Sequence, residues 1–171
     1  MSNQVPAWQG PILDNHFHLN RNGRYLDAAH DFKRAGGTNI VLIHCPDFAS
    51  PPTTKEGHRA AYQNTIAMAE SVRSELDLHV RVVLGPHPAA FAHQFIAWVE
   101  QDGAKGKNRA IENYRDSIDE AVKFYHEGKA HAIGEVGRPH WEVSQEIWDL
   151  SNDLLCETMS LAANDGFALQ L

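Results

Sequence analysis

The stretch Asp14-Asn15-His16-Phe17-His18-Leu19 decides the fold of this chain. It follows Ile12 and Leu13, so it reads as an apolar strand that opens into polar residues. Residues two apart on a strand share a face. His16 and His18 therefore project the same way, with Asp14 one step behind them. Two neutral imidazoles on one face can grip a single divalent ion. A buried strand would otherwise have to find a partner for each ring.

Working outward, strand and helix signals alternate. The first strand spans Ile12 to Leu19, and a helical stretch over Tyr25 to Ala35 stops at Gly36-Gly37. Asn39 to His44 is β-branched and apolar, hence a buried strand. A Pro/Thr-rich loop over Pro46 to Gly57 leads to a helix from His58 to Glu75. Val80 to Leu84 forms the third strand and closes on Gly85-Pro86-His87-Pro88. Helices over Ala90 to Gln101 and Ile111 to Glu127 flank a polar stretch, Asp102 to Arg109. Within it Lys105, Lys107 and Arg109 form a short basic loop, read as solvated. His131 to Gly137 is the fourth strand. Val143 to Asn164 carries Ile147, Leu150, Leu154 and Leu161 at amphipathic helical spacing, and Phe167 to Leu171 starts a fifth strand.

Apolar strands alternating with amphipathic helices predict a parallel sheet with helices outside it. Two α/β architectures fit: an open doubly wound sheet, or part of a (β/α)8 barrel. No GxGxxG or GxxxxGK[ST] follows the first strand, so a nucleotide-binding open sheet loses its usual support.

Composition narrows the function classes. With 171 residues and 43% hydrophobic content the chain can bury one core, and 1–171 reads as a single domain. The balance of 15 Lys+Arg against 22 Asp+Glu gives a net charge of −7. That argues against a surface that grips nucleic acid all round, though not against a local basic cleft. Cys45 and Cys156 form no CxxC pair, which points to a reducing, cytoplasmic compartment. Met1 to Gly10 lacks the features of a signal peptide, and no apolar run is long enough to span a membrane.

In parallel α/β folds, sites form at the carboxyl ends of strands. Here those ends carry His16-x-His18, then His44-Cys45, then His87, then Glu135. The ordinary reading of His44 alone is a hydrogen-bonded structural residue, and His87 between prolines can pack a turn. Glu135, on the strand face of Ile133, is different. An unpaired carboxylate there costs on the order of several kcal/mol, and a cation, or a salt bridge to Arg138, removes that cost.

Asp14-Asn15-His16-Phe17-His18-Leu19, Gly85-Pro86-His87-Pro88 and Gly134-Glu135-Val136-Gly137 resemble, in order and setting, the TatD-type deoxyribonucleases. These are metal-dependent (β/α)8 hydrolases of the amidohydrolase superfamily. The resemblance implies that this chain is the N-terminal part, about five strands, of a (β/α)8 TIM-type barrel, truncated at its C-terminus. It implies that His16 and His18 bind one metal, that Glu135 bridges two, and that His87 lies close by and joins Glu135 in catalysis. The implied cofactors are one or two divalent ions: Zn, Mn or Mg. Asp14, Arg138 and His44 are candidates for contacts around the metals or the substrate. The implied activity is phosphodiester hydrolysis, on DNA or a small phosphoester.

Two rival readings share these residues: hydrolysis of a cyclic amide or lactone, and a non-catalytic fragment that binds metal. The chain departs from the family in placing Arg138-Pro139 where leucine and aspartate are common. The family's two further histidines and late aspartate come from strands five, six and eight. The expectation is therefore an impaired 1–171 chain that self-associates through open sheet edges.

Overall fold

The computed structural model describes residues 8–171. The first seven residues, part of the stretch read as free of a signal peptide, lie outside the described residues. Four strands, β1 (Leu13–Phe17), β2 (Asn39–Ile43), β3 (His79–Leu84) and β4 (Ala132–Ile133), form one parallel sheet in the order β1-β2-β3-β4. The helices are α1 (Leu26–Arg34), α2 (Lys55–Leu76), α3 (Pro88–Asp102), α4 (Ala104–His126) and α5 (Gln145–Asp165).

The strand order follows the chain without reversal, so among the described residues there is no switch point of the kind that defines a doubly wound sheet. Strand alternation then sorts two faces. Ile40, Leu42, Val80, Val82, Leu84 and Ile133 are buried and join the core built with the helices. On the opposite face Leu13 and Arg81 are exposed and Val41 is half-buried, while Ile43 and Val83, nearer the strand ends, are buried outside that core. Helices thus cover one side of a parallel arc, the wall arrangement found in (β/α)8 proteins.

Local chemistry sets the helix starts. The Thr54 hydroxyl accepts the Gly57 N–H at 3.1 Å, and the Ser144 hydroxyl accepts the Ile147 N–H at 3.3 Å. Each is a side-chain oxygen that satisfies a backbone donor left free by the first helical turn.

Three expected elements differ. The polar stretch Asp102 to Arg109 is almost wholly helical, because Gly103, at φ +55°, makes a one-residue break between α3 and α4. Two of its three basic side chains are also engaged: Lys107 pairs with Glu146 at 2.8 Å, and Arg109 lies 4.0 Å over the Trp98 ring. The fourth strand is only Ala132–Ile133. Gly134 sits so close to the next segment that a Cβ there would stand 2.5 Å from the Gln170 carbonyl oxygen.

The fifth strand reduces to a parallel bridge between Ile133 and Leu169. Hydrogen bonds from Ile133 N–H to Ala168 O (3.0 Å), Gln170 N–H to Ile133 O (2.9 Å) and Val136 N–H to Gln170 O (3.0 Å) hold it beside β4. Among the described residues, β1 and this segment each pair on one side only. No helix among them is long and apolar enough to cross a membrane.

Candidate metal centre

The centre begins with an irregularity in β1. Asp14 is in register with Ile40 and Phe17 with Leu42, so three residue steps on β1 match two on β2. This bulge places both Asp14 and Phe17 toward the helices, and the Phe17 ring lies 5.9 Å from Phe32 of α1. His16 and His18 are thereby turned to the opposite face. Asp14 keeps the bulge in shape: its Oδ1 accepts the His16 backbone N–H at 3.0 Å.

His18 Nδ1 donates to the Ile43 carbonyl at 3.0 Å, which leaves the lone pair on Nε2. That Nε2 stands 3.2 Å from His16 Nε2. Glu135 lies two residues past the end of β4, and its Oε2 is 3.2 Å from His16 Nε2 and 3.9 Å from His18 Nε2. The Oε2 atom is buried and makes no hydrogen bond. A buried acceptor without a donor is costly. One cation at the point where the three atoms converge removes that cost, and the three lie within 4.8 Å of one another. Ligand atoms about 2.1 Å from a tetrahedral zinc stand about 3.4 Å apart, so the donor set fits such an ion.

His87 joins from the start of α3. As the N-cap residue its Nδ1 accepts the Ala89 N–H at 3.1 Å, which assigns the ring proton of the neutral form to Nε2. That Nε2 points at Glu135 Oε2 from 3.6 Å. Burial lowers the His87 pKa below the ordinary histidine value, and the nearby Glu135 carboxylate opposes that shift. His87 is therefore a hydrogen-bond donor beside the three candidate ligand atoms rather than a fourth ligand.

The remaining candidates lie apart from the convergence. His44 is buried, bonds Thr65 Oγ1 through Nδ1 at 2.8 Å and packs edge-on against Tyr62. Burial pushes its pKa down to about 3, helped by repulsion from His58, His87 and His18. Arg138 is exposed, bonded to Asn152 Oδ1 at 3.3 Å and placed 4.9 Å over the Trp148 ring. Asp14 holds backbone, not an imidazole N–H. The acceptor that orients His18 is instead the Ile43 main-chain carbonyl, for which no side-chain signal exists in the sequence.

A parallel four-stranded α/β sheet with two histidines and a glutamate converging at its strand ends defines a class: α/β proteins with a candidate metal centre at the carboxyl ends of the strands. The chain belongs to the TatD related DNase family, whose model matches residues 13–171. Membership suggests a metal-dependent hydrolase. An uncharacterized protein of Methanocaldococcus jannaschii, MJ1127, is 28% identical over 164 residues, covering 94% of this chain and 54% of that protein. The chain thus spans about half the length of that curated relative. No solved structure matches the chain significantly.

Proposed function

We propose that this chain carries the first metal-binding half of a metal-dependent phosphodiester hydrolase. The observation behind it is the convergence of His16 Nε2, His18 Nε2 and the unpartnered Glu135 Oε2. His16, His18 and Glu135 would hold one or two divalent ions of the Zn, Mn or Mg type. A bound ion supplies positive charge that polarises a phosphoryl oxygen and acidifies the attacking water.

The chain's own residues do the rest. The Ile43 carbonyl fixes the His18 tautomer and ring orientation, a support that metal-binding histidines commonly use. His87, held as the cap of α3 and with its pKa lowered by burial, offers Nε2–H to an oxygen of the substrate or of the attacking water. By the family resemblance, the remaining histidines and the aspartate that orients the water come from later strands. The two free cysteines, Cys45 and Cys156, fit a reducing compartment such as the cytoplasm.

The test is metal content measured together with hydrolysis of single-stranded DNA, a small phosphodiester and an uncharged cyclic amide or lactone. Chelator-sensitive cleavage of the phosphodiesters supports the reading. Cleavage of the amide or lactone alone moves the chain to the other branch of the superfamily. Phosphodiester turnover that survives chelator and the paired loss of His16 and His18 refutes it.

A further inference from the structure

Beside His18 the connections after β1 and β2 enclose a cleft of about 430 Å³. His18, Asn20, Arg21, Cys45, Asp47 and Asn64 are among the residues that line it. Among the described residues its one cation is Arg21, and that guanidinium is held by neutral groups. Arg21 Nε donates to Asn64 Oδ1 at 2.7 Å, and one terminal nitrogen donates to the Tyr25 hydroxyl at 3.3 Å. The guanidinium carbon lies 5.0 Å from the centre of the Tyr25 ring.

Four of the other arginines are neutralised by carboxylates, whereas Arg109 and Arg138 lie over the Trp98 and Trp148 rings outside this cleft and Arg73 donates to the Val80 carbonyl. Arg24 and Arg34 pair with Asp31, Arg59 with Glu120 and Glu127, and Arg115 with Glu157. No carboxylate among the described residues forms an ion pair with Arg21. The acid in the cleft, Asp47, accepts the Ala49 N–H of its own turn at 3.0 Å. The other terminal nitrogen of Arg21 makes no hydrogen bond among the described residues, so part of the planar fork is free. Tyr25 itself sits at φ +43°, a conformation rare outside glycine, while its hydroxyl and ring both hold the guanidinium. An orientation fixed without spending the charge is what recognition of an oxyanion requires.

We propose that Arg21 is a specificity residue that binds a phosphate of the substrate next to the one attacked. The cleft is its subsite, and Asn64 and Tyr25 are positioning residues for the guanidinium. The proposal rests on the phosphodiester reading of the neighbouring centre and adds to it a second point of contact with a polyanionic substrate.

The test is binding of a labelled single-stranded oligonucleotide, and of inorganic phosphate, to the full chain in the presence of chelator. Fluorescence anisotropy and calorimetry are read at several salt concentrations. Arg21→Gln is expected to weaken oligonucleotide binding roughly tenfold to hundredfold. It should also lower the slope of log affinity against log salt by about 0.7, one phosphate's share on a single strand. Asn64→Asp sets a carboxylate against the guanidinium and should weaken binding with the fold intact by circular dichroism. Arg21→Lys should keep the salt slope and lose part of the affinity.

The proposal is overturned if wild type does not bind the oligonucleotide, or if Arg21→Gln and Asn64→Asp bind as wild type does. Because chelator removes the metal, the two readings separate. Loss of oligonucleotide binding in the Arg21 variants, with no divalent metal bound by wild type in the absence of chelator, sinks the hydrolase reading and leaves the subsite. Metal-dependent cleavage with KM and salt slope unchanged in Arg21→Gln sinks the subsite alone.

Discussion

His44 makes the chain acid-sensitive by an amount that can be worked out. The ring is buried at the end of β2 and its pKa lies at about 3, against 6.5 for an unhindered histidine. Below pH 6.5 the unfolded chain takes up a proton on this ring and the folded chain does not. Falling pH therefore favours unfolding, and the penalty grows until the folded value of about 3 is reached. Between pH 7 and pH 4.5 the loss from this one group is about 2.5 kcal/mol.

His44→Gln retains a polar group for Thr65 Oγ1 and removes the titration. Urea unfolding of wild type and His44→Gln at pH 7.0 and pH 4.5 gives four stabilities. The comparison of interest is the pH-induced loss within each protein, which cancels any constant cost of the substitution. Wild type should lose about 2.5 kcal/mol more than the variant. His58, whose pKa burial also lowers, titrates in both and contributes little to the difference. Equal losses in the two proteins would refute the reasoning, since they would mean that His44 takes up its proton as easily folded as unfolded.

Four further outcomes follow from named contacts. Saturating Zn²⁺ at about a hundred times Kd should raise the Tm of wild type by about 5–10 °C in a thermal scan, and should leave His16→Ala/His18→Ala unmoved. His87→Asn keeps a good helix cap but removes the Nε2–H, so stability should change by less than about 1 kcal/mol while phosphodiester hydrolysis falls at least roughly tenfold. Gly134→Ala places a Cβ 2.5 Å from the Gln170 carbonyl oxygen, so the backbone must shift, at a cost of about 1–3 kcal/mol in urea unfolding. Asn113→Ala removes the acceptor for His58 and the donors to Gln94 and Pro52, and should cost about 2–3 kcal/mol by the same measurement.

The order of strands and helices was legible because apolar runs and glycine stops recur along the chain. Where reading by period fails, a backbone feature overrides it. Alternation puts Asp14 on the face of His16, but the bulge in β1 sends Asp14 with Phe17 toward the helices. Alternation also puts Glu135 on the face of the buried Ile133, yet β4 stops at Ile133 and the carboxylate turns to His16. The apolar run before it predicts a buried strand for the histidine pair, whereas β1 is an edge strand among the described residues and both rings are about a third exposed, at 37% and 35%. The Arg21 cleft left no mark in the sequence, since Arg21 and Asn64 lie 43 positions apart and neither belongs to a motif.

The capping role of His87 has a consequence for anyone who wishes to transplant this group of side chains. The imidazole has no orientation of its own; it borrows one from the Ala89 amide, and so from the first turn of α3. Copying His16, His18, Glu135 and His87 onto another scaffold by side-chain position alone would leave the His87 ring free to spin. The portable unit is the group of three side chains together with the proline-led turn that follows His87, moved as one piece.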